Sequence, residues 1–411
     1  MRRRALPVIY LAVFVDMLGF GIILPLLPFH AEQLGGTGLW VGGVLTAYAA
    51  AQFVAGPVLG LLSDRFGRRP VLLAALLGSA VSLALTGIAG SLVTLFAARL
   101  VAGLCGGAIP VGQAYVVDLT EPKDRTRALG LVGASIGMGF VFGPAIGAAL
   151  AGLGFAGVCF VAGGIALANF VAGLVLLPRT TPRRADDADG ADGADGGRVA
   201  PGGSPALLVS ALRVPLLRPV LVAIFAAMFA FTGMEATYAL LGERLYGLGP
   251  AGLGLVFTGV GVVMAMVQGG LVGRLSDRYG DRAVAVAGTL LVGVGLVTLP
   301  LGVTWLNYLG LAVVAAGQGL MTTATSALIA EAGRAALGGA FGVGQSASAA
   351  ARAAGPIAAG AVFDVHLALP YWIGAVLCVA AALLLRLRRT GEPAPAPVET
   401  GKDVVKGEQP A

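Results

Sequence analysis

A chain of 411 residues that is 57% hydrophobic and only 12% charged cannot cover an apolar core with a polar surface. Soluble domains carry about 25% charged residues, so we expect the solvent to be lipid. The net charge of +6 does not indicate nucleic-acid binding, because the basic residues lie at the ends of apolar runs. Three cysteines stand singly, without the spacing of metal ligands, and we expect neither a metal nor a cofactor.

Twelve apolar runs are long enough to cross a bilayer, whose hydrocarbon core takes about 20 residues of helix. Backbone groups cannot stay unpaired in lipid, so these runs are predicted to be helical. The first run is too long for the apolar core of a signal peptide, and we expect it to remain as a spanning helix. The predicted spans are 7–29, 40–62, 70–90, 92–117, 127–152, 156–177, 217–241, 250–273, 282–302, 304–330, 335–361 and 368–388.

Basic residues lie in the connections on one side of these twelve runs, and the connections on the other side carry only Arg244. Cytoplasmic loops are enriched in arginine and lysine, so both termini are predicted to lie in the cytoplasm. The expected location is the inner (plasma) membrane. An odd number of spans would break the alternation of basic and non-basic connections.

Residues 178–216 and 390–411 differ in composition from the rest of the chain. The first segment contains RRADDADGADGADGG, and the second begins TGEPAPAPVETGK. Neither has enough apolar residues to form a core, so the first is predicted to be a partly disordered cytoplasmic linker and the second a disordered tail. They leave two predicted six-helix halves, residues 1–177 and 217–389.

An internal repeat relates the two halves. Six helices per half, in the same orientation, predict a parallel repeat about an axis along the membrane normal. Transporters with this architecture bind their cargo near the midplane, between the halves. Four features of the first half recur 212 or 213 residues later: Asp64 as Asp277, Gly67 as Gly280, Asp118 as Glu331, and Gly143-Pro144 as Gly355-Pro356.

The connection between the second and third spans reads GLLSDRFGRRPVL, residues 60–72. Its glycines allow a tight turn, and Asp64 is placed to accept hydrogen bonds or to pair with an arginine. An ordinary basic loop would explain the arginines alone, but not this pattern with a second copy, GRLSDRYGDRAVA, starting at Gly273. Asp118, Asp64 and Arg68 predict a cytoplasmic charge cluster, with helix capping and solvated loop charges as the alternative. The predicted cytoplasmic gate comprises Gly60, Asp64, Arg65, Gly67, Arg68, Arg69, Asp118 and Asp277.

Residues 60–72 resemble the loop signature of the major facilitator superfamily, and the resemblance extends over about residues 7 to 388. The stretch from Asp16 to Pro28 resembles the first helix of the twelve-helix drug:proton antiporters, in particular the tetracycline-efflux kind. The stretch Leu95–Gly103 is similar to that family's motif around a membrane-embedded arginine, here Arg99, although Ala102 stands where glutamine is frequent.

The fifth span carries a sequence similar to the antiporter signature of the superfamily, with Gly139, Gly143, Pro144 and Gly147. The resemblance implies proton-coupled antiport. The glycines are spaced by four and share one helix face, so we expect close packing against a helix of the other half. Ordinary small-residue packing remains an alternative explanation of these positions.

Four charged residues lie well inside the predicted spans: Asp16, Arg99, Glu235 and Arg352. An ionised side chain at the bilayer centre costs at least about 2.5–3.5 kcal/mol, so these side chains are expected to face a wet cavity. One interpretation is a pair of structural salt bridges between the carboxylates and the arginines. The other is coupling of protons and cargo, in which Asp16 is the first candidate for the proton carrier and Glu235 the second.

The sequence therefore predicts an all-α membrane protein of the major facilitator fold that acts as a secondary transporter and not as an enzyme. The expected partners are protons, the bilayer and a small hydrophobic or amphipathic molecule, with export of a drug or antibiotic by a monomer. No glycine-rich loop with a following Lys-Ser or Lys-Thr indicates an ATP-driven pump. The alternatives are a uniporter or symporter of a sugar or other metabolite, and a membrane receptor or enzyme.

Overall fold

The computed structural model describes residues 2–121, 124–177, 217–332 and 337–387, and the predicted linker and tail lie outside these ranges. All regular structure in them is helical. We call residues 2–177 the N-terminal part and residues 217–387 the C-terminal part. The N-terminal part contains α1 (Arg2–Ile23), α2 (Leu27–Gln33), α3 (Gly38–Phe66), α4 (Arg68–Gly87), α5 (Leu92–Cys105), α6 (Ala108–Leu119), α7 (Arg125–Leu150) and α8 (Gly154–Leu176). The C-terminal part contains α9 (Leu217–Tyr246), α10 (Pro250–Met266), α11 (Val272–Tyr279), α12 (Asp281–Thr298), α13 (Thr304–Ala332), α14 (Leu337–Val365) and α15 (Leu369–Leu387).

Ten segments of the described chain are long and apolar enough to cross a membrane. One of them, residues 127–176, contains both α7 and α8, which are joined by a 3-10 turn at Ala151–Leu153. Gly154 follows this turn with a φ of 72°, a conformation that favours glycine. Helix α14 is not among the ten segments. The prediction of an all-α, multi-pass membrane protein is confirmed.

Three predicted spans are interrupted between their ends. The first is broken between α1 and α2 around Pro25, since proline has no N–H to donate. The fourth is broken between α5 and α6 at Gly106 and Gly107, and the Gly106 carbonyl instead accepts a hydrogen bond from Gln52 Nε2 at 3.2 Å. The eighth contains a π-helical turn, Val267–Leu271, between α10 and α11. These three runs are helical as predicted, and each is a single candidate span despite its interruption.

In both copies of the loop motif, a glycine with positive φ lies between the end of one helix and the start of the next. Gly67 lies between α3 and α4 with φ 95° and ψ 154°, and Gly280 lies between α11 and α12 with φ 80° and ψ 149°. A side chain is disfavoured in this conformation, which explains glycine at both positions. We call the end of the bundle that holds these two turns the loop end.

Candidate transport site and gates

Asp16 lies half-buried on α1 and accepts a hydrogen bond from Ser79 Oγ of α4, at 2.7 Å. Within the described chain, no basic group lies within the 4.0 Å of its carboxylate that an ion pair requires. The interpretation of Asp16 as half of a structural salt bridge is therefore not what this structure shows. The hydroxyl of Ser79 is the hydrogen-bond donor that the described residues provide to this carboxylate.

Arg99 is buried on α5, with 3% of its surface exposed. Its Nη2 atom donates a hydrogen bond to Thr86 Oγ1 of α4 at 2.5 Å, and its Nε atom has no acceptor among the described residues. This guanidinium is enclosed by its own part of the chain. It therefore has little free donor surface to offer to a ligand.

Glu235 on α9 and Arg352 on α14 lie within electrostatic range of each other. Glu235 is half-buried, whereas Arg352 is exposed. In the ranges that the structure describes, they are not within the 4.0 Å of an ion pair. The second expected salt bridge is thus also absent, and a space separates the two charges.

Tyr48 on α3 was missed by the sequence analysis, although it lies at the centre of this arrangement. It is within electrostatic range of Asp16, Arg99 and Arg352, so charges from both parts of the chain surround it. Its ring stacks on Phe20 at 4.9 Å, and its hydroxyl accepts a hydrogen bond from Gln52 Nε2 at 3.2 Å. A tyrosine in the middle of a span, far from the membrane interface, was the available signal.

The loop motif of the N-terminal part forms a cluster around Arg68. Its guanidinium contacts Asp64 Oδ1 at 2.6 Å and Asp118 Oδ2 at 2.8 Å. It also donates to Ser63 Oγ at 2.6 Å, and that hydroxyl donates to the Gly60 carbonyl at 2.7 Å. The cluster therefore joins the loop end of α3 to the loop end of α6.

The remaining predicted gate residues have different surroundings. The Arg65 guanidinium lies over the ring of Phe66, 5.5 Å from its centroid. Asp277, in the second copy of the motif, is exposed, and Asp281 stands where the first copy has Arg68. The C-terminal loop thus lacks the arginine on which the N-terminal cluster is built.

One arginine in each copy of the motif caps the final helix of its own part. Arg69 Nη2 donates to the Leu174 carbonyl of α8 at 2.6 Å. Arg282, 213 residues later, donates to the Leu385 carbonyl of α15 at 2.8 and 2.6 Å. Both carbonyls belong to the last turn of a helix, where no backbone N–H is available and a positive charge is favourable.

Arg282→Gln is expected to destabilise the protein by about 1–2 kcal/mol, because it removes a charged donor from the α15 terminus. The thermal unfolding midpoint in detergent should fall by a few degrees. Arg278→Gln is the matched control, since that side chain lies over the ring of its neighbour Tyr279. Equal midpoints for the two variants would contradict the capping role.

The predicted glycine face of α7 packs within its own part, not against the other half as expected. A Cβ atom at Gly143 would lie 2.7 Å from Gly21 Cα, and one at Gly139 would lie 3.1 Å from Leu18 N. At Gly147 it would meet the Ile22 carbonyl. The three glycines therefore let α7 and α1 approach closely.

A second face of α7, which carries Pro144, makes the contact with the C-terminal part. A Cβ atom at Gly254 of α10 would lie 2.7 Å from the Pro144 carbonyl oxygen, and one at Gly261 would lie 3.3 Å from Val141 Cα. The residues of this face are spaced by three or four: Gly130, Gly133, Gly137, Val141, Pro144 and Ala148. The face is in contact only near the end opposite the loops.

Toward the loop end, this face of α7 meets open space. A Cβ atom at Gly130, Gly133 or Gly137 would have no atom within 4 Å. The same holds for Gly269 and Gly270 in the π-turn that follows α10. A cleft between the two parts therefore opens toward the loop end.

The opposite end of the cleft is closed by contacts between α3 and α14. Both carboxylate oxygens of Asp364 accept hydrogen bonds from the start of α3, from Gly38 N at 2.7 Å and from Leu39 N at 2.8 Å. Arg244 and Glu32 add an ion pair at 3.0 Å. Because the first N–H groups of a helix lack partners, Asp364 caps α3 from the other part of the chain.

Gly42→Ala is expected to weaken this closure. The added Cβ atom would lie 2.9 Å from Ile357 Cα, and overpacking typically costs about 1–3 kcal/mol. The open population at this end should rise about 5- to 150-fold. Spin labels at Leu153 and Leu301, both exposed, would report it as a longer distance.

Gly43→Ala is the control for this substitution, because a Cβ atom at Gly43 has no neighbour within 4 Å. The labels require a background in which the three native cysteines are replaced. An unchanged distance distribution in Gly42→Ala would show that the α3–α14 contact does not hold this end of the cleft closed.

The Major Facilitator Superfamily model matches residues 9–272 and 243–408. The chain belongs to the major facilitator superfamily. The resemblance found in residues 60–72 is thereby confirmed. As a superfamily member the protein is a membrane transporter and not an enzyme.

Two relatives indicate which transporters of the superfamily this chain is similar to. The class C tetracycline resistance protein of Escherichia coli is 31% identical over 308 residues, which cover 72% of this chain and 73% of the relative. Major facilitator superfamily domain-containing protein 10 of Homo sapiens is 29% identical over 426 residues, covering 92% and 89%. The crystal structure of the human organic anion transporter MFSD10 matches with a TM-score of 0.68 and 26% identity, over 94% of this chain and 99% of that chain.

Proposed function

We propose that this protein exports a hydrophobic or amphipathic small molecule, such as a drug or antibiotic, in exchange for protons. The observation that carries the proposal is Asp16, a carboxylate inside a span whose hydrogen-bond partner is a hydroxyl. Such a group can gain a proton without breaking an ion pair. Similarity to a tetracycline resistance protein supports export.

We also propose twelve spans in two six-helix halves, divided at residues 178–216. The segment 127–176 is 50 residues long, about 75 Å as helix and more than twice a bilayer core of about 30 Å. It therefore supplies two spans. Helix α14 has 29 residues and is long enough to supply another. By the distribution of basic residues, the loop end and both termini lie in the cytoplasm.

The proposed cycle begins with the cleft open toward the cytoplasm. Asp16 releases its proton, cargo enters from the cytoplasm or the inner leaflet, and the halves rock to open the opposite end. A proton from outside then displaces the cargo, and the protonated form returns. One charge moving through 100 mV contributes about 2.3 kcal/mol, equivalent to a gradient of about fifty-fold.

An apolar cargo is favoured over a sugar because several intramembrane amide side chains are used within the structure. Asn169 donates to the Ala12 carbonyl at 3.0 Å, and Asn307 donates to Tyr238 Oη at 2.7 Å. Gln52 is bound to Tyr48 and Gly106. A sugar site would need such groups free. The relatives differ in cargo, so relatedness alone does not determine the charge of the compound that this protein transports.

The proposal is tested first by drug susceptibility of cells that lack their own efflux pumps, with tetracycline in the panel. A compound to which the protein gives resistance is then studied in proteoliposomes under an imposed pH gradient. Cargo movement should follow the gradient and should move protons in the opposite direction. Transport that neither moves protons nor responds to the gradient would refute antiport and favour a uniporter.

A further inference from the structure

Unlike Asp16 and Arg99, Arg352 makes no hydrogen bond within the described ranges. It lies near the middle of α14, about 20 Å from either end at 1.5 Å per residue. Its side chain is exposed, and no hydrogen bond or ion pair engages its guanidinium within the described ranges. Burying an arginine in a span is costly, so a free guanidinium at this depth requires a wet cavity and favours an anionic partner.

The helical spacing of α14 shows where this side chain points. Ala353, Pro356 and Gly360 lie on the face that contacts α3. Gly355 and Ala359 lie on the face that contacts α9. Arg352 precedes Pro356 by four residues and Ala359 by seven, so it lies between the two faces. It therefore points into the wedge between α3 and α9, where the two parts of the chain meet.

The wedge offers both polar and apolar contacts. On the N-terminal side, Tyr48 is within electrostatic range of Arg352 and is stacked on Phe20. On the C-terminal side, a cavity lies between α9, α13 and α14. Its lining includes Gln345 and Ser348 of α14, with the flexible apolar side chains Met228 and Met321 opposite. Arg352 follows Ser348 of this cavity by one helical turn, so the guanidinium lies between the aromatic pair of the N-terminal part and the thioether-lined cavity of the C-terminal part.

The other charges of the region do not satisfy Arg352. Asp16 is hydrogen-bonded to Ser79 of α4, within the N-terminal part. Glu235 interacts with Arg352 only through longer-range electrostatics, without a hydrogen bond or an ion pair in the described ranges. Arg99, by contrast, is enclosed and bonded to Thr86, and the same chain therefore distinguishes a structural arginine from an available one.

We propose that Arg352 binds an anionic group of the cargo, such as a carboxylate or sulfonate, while the apolar body of the cargo lies against Phe20, Tyr48, Met228 and Met321. The planar guanidinium presents paired N–H donors that match two oxygens of such a group. The substrate class is therefore an amphipathic organic anion. This inference rests on the proposed function only in requiring that cargo enters the cleft, and it does not require proton coupling.

The test compares fluorescein, which is anionic, with rhodamine 6G, which is cationic and has the same xanthene ring. Binding to the purified full-length protein in detergent is followed by fluorescence polarisation, without any proton gradient. The wild type should bind fluorescein more tightly than rhodamine 6G. Arg352→Gln should weaken fluorescein binding about 10- to 100-fold, the usual value of a hydrogen-bonded charge, and should not weaken rhodamine binding. The fluorescein affinity of Arg352→Lys should lie between that of the wild type and that of Arg352→Gln.

Glu235→Gln distinguishes this role from a structural one. If Glu235 competes with the cargo for Arg352, its neutralisation should increase fluorescein affinity. Equal loss of both probes in Arg352→Gln, or no preference for fluorescein in the wild type, would overturn the proposal. A structural role would show in the thermal unfolding midpoints. If Arg352→Gln and Glu235→Gln lowered the midpoint equally and the double variant recovered the wild-type midpoint, the proposal would also be overturned. Because binding is measured at equilibrium, failure of proton coupling in vesicles would leave these results unaffected.

Discussion

Gly137→Leu is expected to abolish transport while leaving the conformation described above intact. In this structure a Cβ atom at Gly137 has no neighbour within 4 Å, so the leucine side chain has room. Gly137 nevertheless shares its helix face with Val141, Pro144 and Ala148, which pack on α10 near the closed end. When the cleft closes at the loop end, this face must meet α10 and the π-turn there. A leucine would prevent the approach.

The measurement combines transport in vesicles with spin-label distances at the loop end. Labels at Phe66 and Tyr279, both exposed and 213 residues apart in the repeat, report on that end. In Gly137→Leu they should give only the long distance, whether or not cargo is present, and the unfolding midpoint should match the wild type. Undiminished transport would show that this face stays apart throughout the cycle.

Gly164→Leu is the matched control for Gly137→Leu. Gly164 is also an exposed glycine within a helix, and a Cβ atom there has no neighbour within 4 Å. It lies on α8, which contacts helices of its own part in the structure. Both substitutions replace glycine by a better helix former, so any gain from helix propensity is shared. Only the substitution that faces the cleft should stop transport.

The predicted spans agree with the observed helices because lipid imposes a simple rule on the backbone. A run long enough to cross must be helical throughout or hide its broken turns. That rule accounts for α3, observed at Gly38–Phe66 and predicted at 40–62. It does not foresee the break at Gly106, because the carbonyl freed there is satisfied by Gln52, 54 residues earlier in the chain.

The candidate site was only partly predictable, for a related reason. A charge in an apolar run is conspicuous in the sequence, so Asp16, Arg99, Glu235 and Arg352 could be singled out. Which of them is enclosed and which is free depends on contacts between helices. Thr86 encloses Arg99, whereas the wedge beside α14 leaves Arg352 open. The α7 glycines were similarly visible, but their partner α1 was not.

Asp16→Asn is expected to abolish proton-driven transport while preserving the fold and cargo binding. Asparagine has the shape of aspartate, and its Oδ1 atom can still accept the hydrogen bond from Ser79. The packing of Met17 and Leu18 against Gly139 on the neighbouring face of α1 is untouched. What is lost is the ability of this side chain to exchange a proton. Vesicle transport should therefore no longer respond to an imposed pH gradient.

Two further variants separate the carboxylate from its surroundings. Ser79→Ala removes the hydrogen bond and keeps the carboxylate, so proton coupling should persist with a changed pH dependence. Glu235→Gln removes the other intramembrane carboxylate, which lies in the field of Arg352. If Asp16→Asn kept gradient-driven transport and Glu235→Gln lost it, the proton carrier would be Glu235. The C-terminal part would then hold both the proton and, through Arg352, the anionic group of the cargo, and coupling would be direct competition across the space between those two side chains.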